Sequence, residues 1–136
     1  MRNRCGLVIA SLSVIATAGC AGANSTTAAT PSTAARTTDT FTGAVGGSDV
    51  HGFTVAVAGT VDVTLTAVTP AIMMGMSVGT TAIGGCVPLA GGSTQAAAGS
   101  AAQLSGVVTP GTLCVDVHDA GFQSSSVSYT VTVTHP

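Results

Sequence analysis

Val127-Ser128-Tyr129-Thr130-Val131-Thr132-Val133-Thr134 alternates apolar and polar side chains without a break. A β-strand turns successive side chains to opposite faces, so this stretch offers one face to a core and one to water. Working back along the chain, Leu113, Val115 and Val117 alternate with Cys114, Asp116 and His118. Val61, Val63, Leu65 and Ala67 alternate with Asp62, Thr64 and Thr66, and Phe53, Val55 and Val57 with Thr54 and Ala56. Phe41, Gly43 and Val45 form one further set, and Ile72, Met74, Met76 and Val78 another. Turn residues separate these sets, among them Gly46-Gly47-Ser48-Asp49, Thr69-Pro70, Thr109-Pro110-Gly111-Thr112 and Asp119-Ala120-Gly121. Cys86, Val87 and Leu89 sit in a weaker segment, residues 90–100 read as a Gly- and Ala-rich loop, and Leu104 and Val108 mark one more strand. About seven or eight short strands with regular turns predict an all-β, antiparallel β-sandwich over residues 41–136. Its expected apolar slab is Phe53, Val55, Val61, Val63, Leu65, Met74, Met76, Leu113, Val115, Val117, Tyr129 and Val131.

The N-terminus has a different grammar. Arg2 and Arg4 precede an uncharged run from Cys5 to Ala18, whose apolar centre is Leu7, Val8, Ile9, Leu12, Val14 and Ile15. At about 14 residues the run falls short of the roughly 20 that a spanning helix needs, and it reads as an export signal over residues 1–19. Two processing sites compete. Ala16-Thr17-Ala18 would release a soluble protein, whereas Thr17-Ala18-Gly19-Cys20 resembles a bacterial lipobox, with Thr17 where Leu is usual. The second would leave Cys20 as a lipid-modified N-terminus carrying acyl chains of the palmitate class. Cysteine parity favours it. Cys5 departs with the signal, and acylation of Cys20 leaves Cys86 and Cys114 as an even pair. Residues 21–40 contain no Val, Ile, Leu, Met or aromatic residue, so residues 20–40 are expected to be the lipidated cysteine and a disordered Thr/Ala/Ser-rich linker. As a coil such a linker would reach roughly 25 Å.

Charge excludes some functions. After residue 40 the chain has no Lys, Arg or Glu, and its charged side chains are Asp49, Asp62, Asp116 and Asp119. Nucleic-acid binding depends on cations that displace phosphate counterions, and this domain has none. Anionic lipid has no purchase on it for the same reason, so membrane attachment is expected only through the lipid anchor.

The order of the pieces resembles the bacterial pre-peptidase C-terminal (PPC) domain family. The resemblance rests on Phe41-Thr42-Gly43, Asp49 to Val55, Gly59 to Leu65, Pro110 to Val117 and Val127 to Val133, and it spans roughly residues 41–136. It implies a jelly-roll-like sandwich of the kind that accompanies exported enzymes, some relatives binding extracellular polymers or calcium. The chain departs from that pattern in its Cys pair, in Leu113 where an aromatic is common, and in having no catalytic domain attached.

Chemistry-bearing residues are few. Cys86 and Cys114 are expected to form a disulfide; two free thiols or a metal pair are the alternatives, and two sulfurs alone make a poor zinc site. Asp116 and Asp119, or Asp49 beside a Gly-rich turn, could begin a calcium site of oxygen ligands, against which stands the simpler reading of solvated strand ends. His51, His118 and His135 define no cluster by spacing, and no G-x-S-x-G elbow is present. Phe122, beside Gly121, is the one aromatic expected to be exposed in a loop and available for binding. These features predict a non-catalytic lipoprotein of the bacterial cell envelope, at the outer membrane or cell surface, that presents a binding or structural module to an extracellular polymer or envelope protein. The alternative is a secreted accessory domain that binds a polymer or calcium for a separately encoded exported enzyme. Neither a buried acid–base pair nor a deep polar cleft is expected.

Overall fold

The computed structural model describes residues 35–121 and 125–136. Cys20, the export signal, most of the linker and Phe122 lie outside the described residues. Eight strands are present among those described: β1 (Thr37–Val45), β2 (Ser48–Val55), β3 (Gly59–Thr69), β4 (Met74–Ala82), β5 (Gly85–Ala96), β6 (Leu104–Val108), β7 (Gly111–Asp119) and β8 (Val127–His135). They form two antiparallel four-stranded sheets, in the orders β1-β8-β3-β6 and β2-β7-β4-β5. Strand β1 pairs with β8, β2 with β7, β3 with β6 and β4 with β5. This nesting is that of one long hairpin, turned between β4 and β5 and then rolled up, which is the jelly-roll form of the β-sandwich.

The alternation seen in the sequence fixes which face is inward. All twelve residues expected in the slab are buried, and Val45, Val68, Val78, Val108, Val127 and Val133 join them. Ala67 does not. A register shift between Leu65 and Ala67 in the pairing of β3 with β8 moves Val68 into the inward position, and Ala67 is exposed. Val57 is 45 % exposed because β2 has ended at Val55.

Two boundaries differ from the sequence reading. Strand β1 begins at Thr37, inside the stretch read as linker, because Thr37 to Thr40 pair along β8 from His135 to Thr132. Backbone hydrogen bonding to a strongly apolar neighbour orders residues that carry no apolar side chain of their own. Residues 90–96 are likewise strand and not loop: Ser93 to Ala96 pair with Ser77 to Met74, after a wide bulge over Leu89 to Gly92. Small side chains hid this strand from periodicity, since Gly, Ser and Ala give no two-residue contrast.

The disulfide forms between Cys86 on β5 and Cys114 on β7, with Cα atoms 5.8 Å apart. Strand β4 lies between those two strands in the sheet order, so the start of β5 folds over the outer face. Gly79, paired with both Cys114 and Pro88, permits it: a Cβ there would collide with the Val87 carbonyl.

Candidate functional site

The seam where β1 and β2 meet departs from the apolar slab. On β1 the inward positions are Thr37, Asp39, Phe41, Gly43 and Val45; on β2 they include Asp49, His51 and Phe53. The inward row of β8, from Val127 through Tyr129 to His135, lies beside that of β1 in the same sheet and faces β2 of the other. Carboxylates, imidazoles and rings therefore meet along one edge of the interior.

At its centre, Tyr129 is 3 % exposed and donates its hydroxyl proton to Asp49 Oδ2 at 2.7 Å. That is the only proton the phenol has, so the 2.5 Å contact with His51 Nε2 has the imidazole donating and the phenol oxygen accepting. His51 Nε2 also lies 3.6 Å from Asp49 Oδ2. Phe41 stacks on the His51 ring with centroids 4.7 Å apart and planes within 10°. Burial first, and then the hydrogen bond to the Asp49 carboxylate, push the Tyr129 hydroxyl well above the ordinary tyrosine range. Gly43 makes the arrangement fit, since a Cβ there would come within 2.7 Å of the Tyr129 oxygen and nearer still to Asp49.

Further along the seam, His135 is 5 % exposed and its Nε2 donates to Asp39 Oδ2 at 3.0 Å. Its ring packs at 5.4 Å from that of Phe53. On the opposite, outward face of β7, Asp116 accepts a hydrogen bond from Ser48 Oγ and another from His118 Nδ1 at 2.8 Å. The His118 ring covers Gly75, where a Cβ would overlap it.

Each of the three histidines thus faces a carboxylate: Asp49, Asp116 and Asp39. The expectation of no buried acid–base pair is corrected on this point. Residues scattered in sequence converge because β1, β2, β7 and β8 are neighbours at one side of the roll. The order of the partners limits the chemistry. Ser48 and His118 both donate to the same carboxylate, so the imidazole is not placed to take the serine proton, as a hydrolase requires. Tyr129 is a weakened acid whose oxygen already accepts from His51.

The calcium candidates do not assemble. Asp116 and Asp119, three residues apart on β7, project to opposite faces, and Asp49 points inward from β2. Asp119 Oδ1 accepts from the Gly121 amide at 3.0 Å, and the Asp119 amide donates to Gly47 O at 2.8 Å, so this residue fastens a turn. Among the described residues no group of three or more His, Cys, Asp and Glu side chains is arranged to hold a metal ion.

Asp39, Gly43 and Ser48 were not singled out from the sequence. Asp49 and His51 are in phase with Phe53, and a buried tyrosine needs a partner for its hydroxyl; those two signals, not combined in the sequence reading, are the ones that would have found the central group. No family model, no curated protein and no solved structure matches the chain.

Proposed function

We propose that this protein is a non-catalytic lipoprotein of the bacterial cell envelope, tethered through Cys20, which presents a disulfide-stapled jelly-roll domain as a binding or structural module. The observation that carries the reading is the Cys86–Cys114 bond. A structural disulfide belongs to an oxidising compartment. Once these two cysteines are joined and Cys5 departs with the signal, Cys20 is the one thiol left in the chain, at the end of a short apolar run after Arg2 and Arg4. Acylation accounts for it. The polar groups support a structural role: the Tyr129 hydrogen bonds to Asp49 and His51 join the two sheets, the His135–Asp39 bond ties β8 to β1 within one sheet, and together they occupy the protons that acid–base chemistry would need. The jelly-roll strand order is compatible with the likeness to PPC domains.

The experiment is metabolic labelling with a fatty-acid analogue, followed by fractionation, of the natural chain and of Cys20→Ser. Label and membrane retention in the natural chain, both lost in the variant, are expected. Membrane retention of the variant, or an intact mass beginning at Gly19, would overturn the reading.

A further inference from the structure

The opposite side of the roll, where β5 and β6 meet, has the reverse character. From Val63 to Val115 there is no Asp, Glu, Lys, Arg or His, and the two cysteines are bonded, so β4, β5 and β6 and their connections carry no ionisable side chain. Five of the large apolar side chains left exposed belong to this stretch: Met73, Ile83, Val87, Leu89 and Val107. Between the two strands lies a groove of about 150 Å³, formed by buried Val61 and Val78 with Leu89, Leu104, Gly106 and Val107.

The strands that border it differ as edges. Proteins guard an exposed strand edge with charge, proline or a bulge. Strand β5 has Pro88 and the bulge over Leu89 to Gly92. At the other side of the molecule, β1 has Asp39 and β2 has Asp49 and His51. Strand β6, Leu104-Ser105-Gly106-Val107-Val108, carries no charge, proline or bulge of its own and is guarded only by its length of five residues. It ends its sheet and pairs on one side only, with Gly59 to Val63 of β3. Val107 is 81 % exposed, and a Cβ at Gly106 would meet open space.

We propose that β6 is a self-association edge, and that two copies of this chain pair antiparallel through it about a twofold axis at Gly106. The occupant has to be uncharged where it meets the groove, because no side chain from Val63 to Val115 offers a counter-charge, and the charges beside β6, Asp62 on Ser105 Oγ and Arg36 on Asp62, already pair with each other on the outer face. It also has to offer backbone donors and acceptors, because β6 presents unpaired ones; a lipid surface would cover the valines and leave those groups unsatisfied. A second β6 meets both conditions. Twofold pairing sets Gly106 opposite its copy and Ser105 opposite the copy's Val107, with no like charges in contact. It would join the two four-stranded sheets that end in β6 into one continuous sheet. This inference does not depend on acylation of Cys20.

The test is cysteine cross-linking and sedimentation on the full chain. Under mild oxidation Gly106→Cys should give a covalent dimer, and Val50→Cys, on the exposed part of β2 at the other side, should not. The natural chain should sediment as a dimer, and Val107→Asp, which sets two carboxylates near the axis, should weaken association by about tenfold or more with an unchanged circular dichroism spectrum. A natural chain that stays monomeric, or equal cross-linking at both positions, overturns the proposal. A monomer that floats with neutral phosphatidylcholine vesicles through this face would assign the groove to lipid and overturn it as well.

Discussion

Tyr129, on the inward face of β8, donates its hydroxyl to Asp49 on β2 at 2.7 Å, so a strand of one sheet is hydrogen-bonded to a strand of the other through side chains alone. A sandwich held only by apolar contact would let its sheets slide. A directional bond sets their relative position at this seam, and the stacked pair Phe41 and His51 lies beside it.

The chain has one tyrosine, which makes this bond directly observable. Near-ultraviolet titration should show tyrosinate appearing well above the ordinary value of about 10. A raised folded-state value means that the folded protein holds the proton more tightly. The stabilisation is therefore fully present below about pH 10 and is lost as the pH rises through the folded-state value. Asp49→Asn removes the carboxylate charge and should move the titration down towards the ordinary range. An unchanged midpoint in that variant would leave burial alone as the cause.

Gly43→Ala should destabilise the domain more than a strand Gly→Ala change ordinarily does. The new Cβ would meet both partners of the central hydrogen bond, Tyr129 and Asp49. Separating them leaves the buried hydroxyl proton without its acceptor, at a cost of about 1–3 kcal/mol. Urea unfolding should report a loss in that range, against near-neutral behaviour for Gly106→Ala, where the added methyl meets nothing.

Acid stability should depend on Asp62. Ser105 Oγ donates to it at 2.5 Å and Arg36 pairs with it at 2.7 Å, and these contacts, the serine first, hold its carboxyl below the usual carboxylate value. A lowered folded-state value gives stability that is present above the unfolded value, about 3.9, and is lost as the pH falls through the folded one. Melting temperatures should therefore separate the natural chain from Asp62→Asn at neutral pH and converge below about pH 3. The difference at neutral pH should be small, about 1 kcal/mol or less, since Arg36 is exposed and its pairing is screened.

Removing the disulfide should be the most costly of these changes. The two cysteines are 28 residues apart, and closing a loop of that size stabilises by roughly 3.6 kcal/mol in the chain-entropy model. Cys114 is fully buried, so serine at that position adds a desolvation cost that Cys86→Ser avoids. The double serine variant should lose several degrees of melting temperature, and the natural chain under reducing conditions should follow it.

The strands rich in valine were legible in advance because their two-residue period is large in hydrophobicity: Val61 to Leu65, Leu113 to Val117 and Val127 to Val133 all face as their alternation implies. Strand β5 was not, because Gly, Ser, Thr and Ala carry no contrast between faces, nor was the start of β1, where threonines are ordered by pairing with β8. The bulge at Thr66 escaped for a related reason: Ala67 and Val68 are both acceptable core residues, and only the pairing of β3 with β8 selects the second.

By itself, the sequence determined the all-β class and the inward face of most strands, since these follow from side-chain period and turn residues. The tertiary structure alone decided that Asp49, Tyr129 and His51 meet, that Asp39 finds His135, and that Asp116 and Asp119 part. Those relationships join positions up to 96 residues apart. Local periodicity carries no information about which strands become neighbours; the order in which the hairpin rolls up sets that.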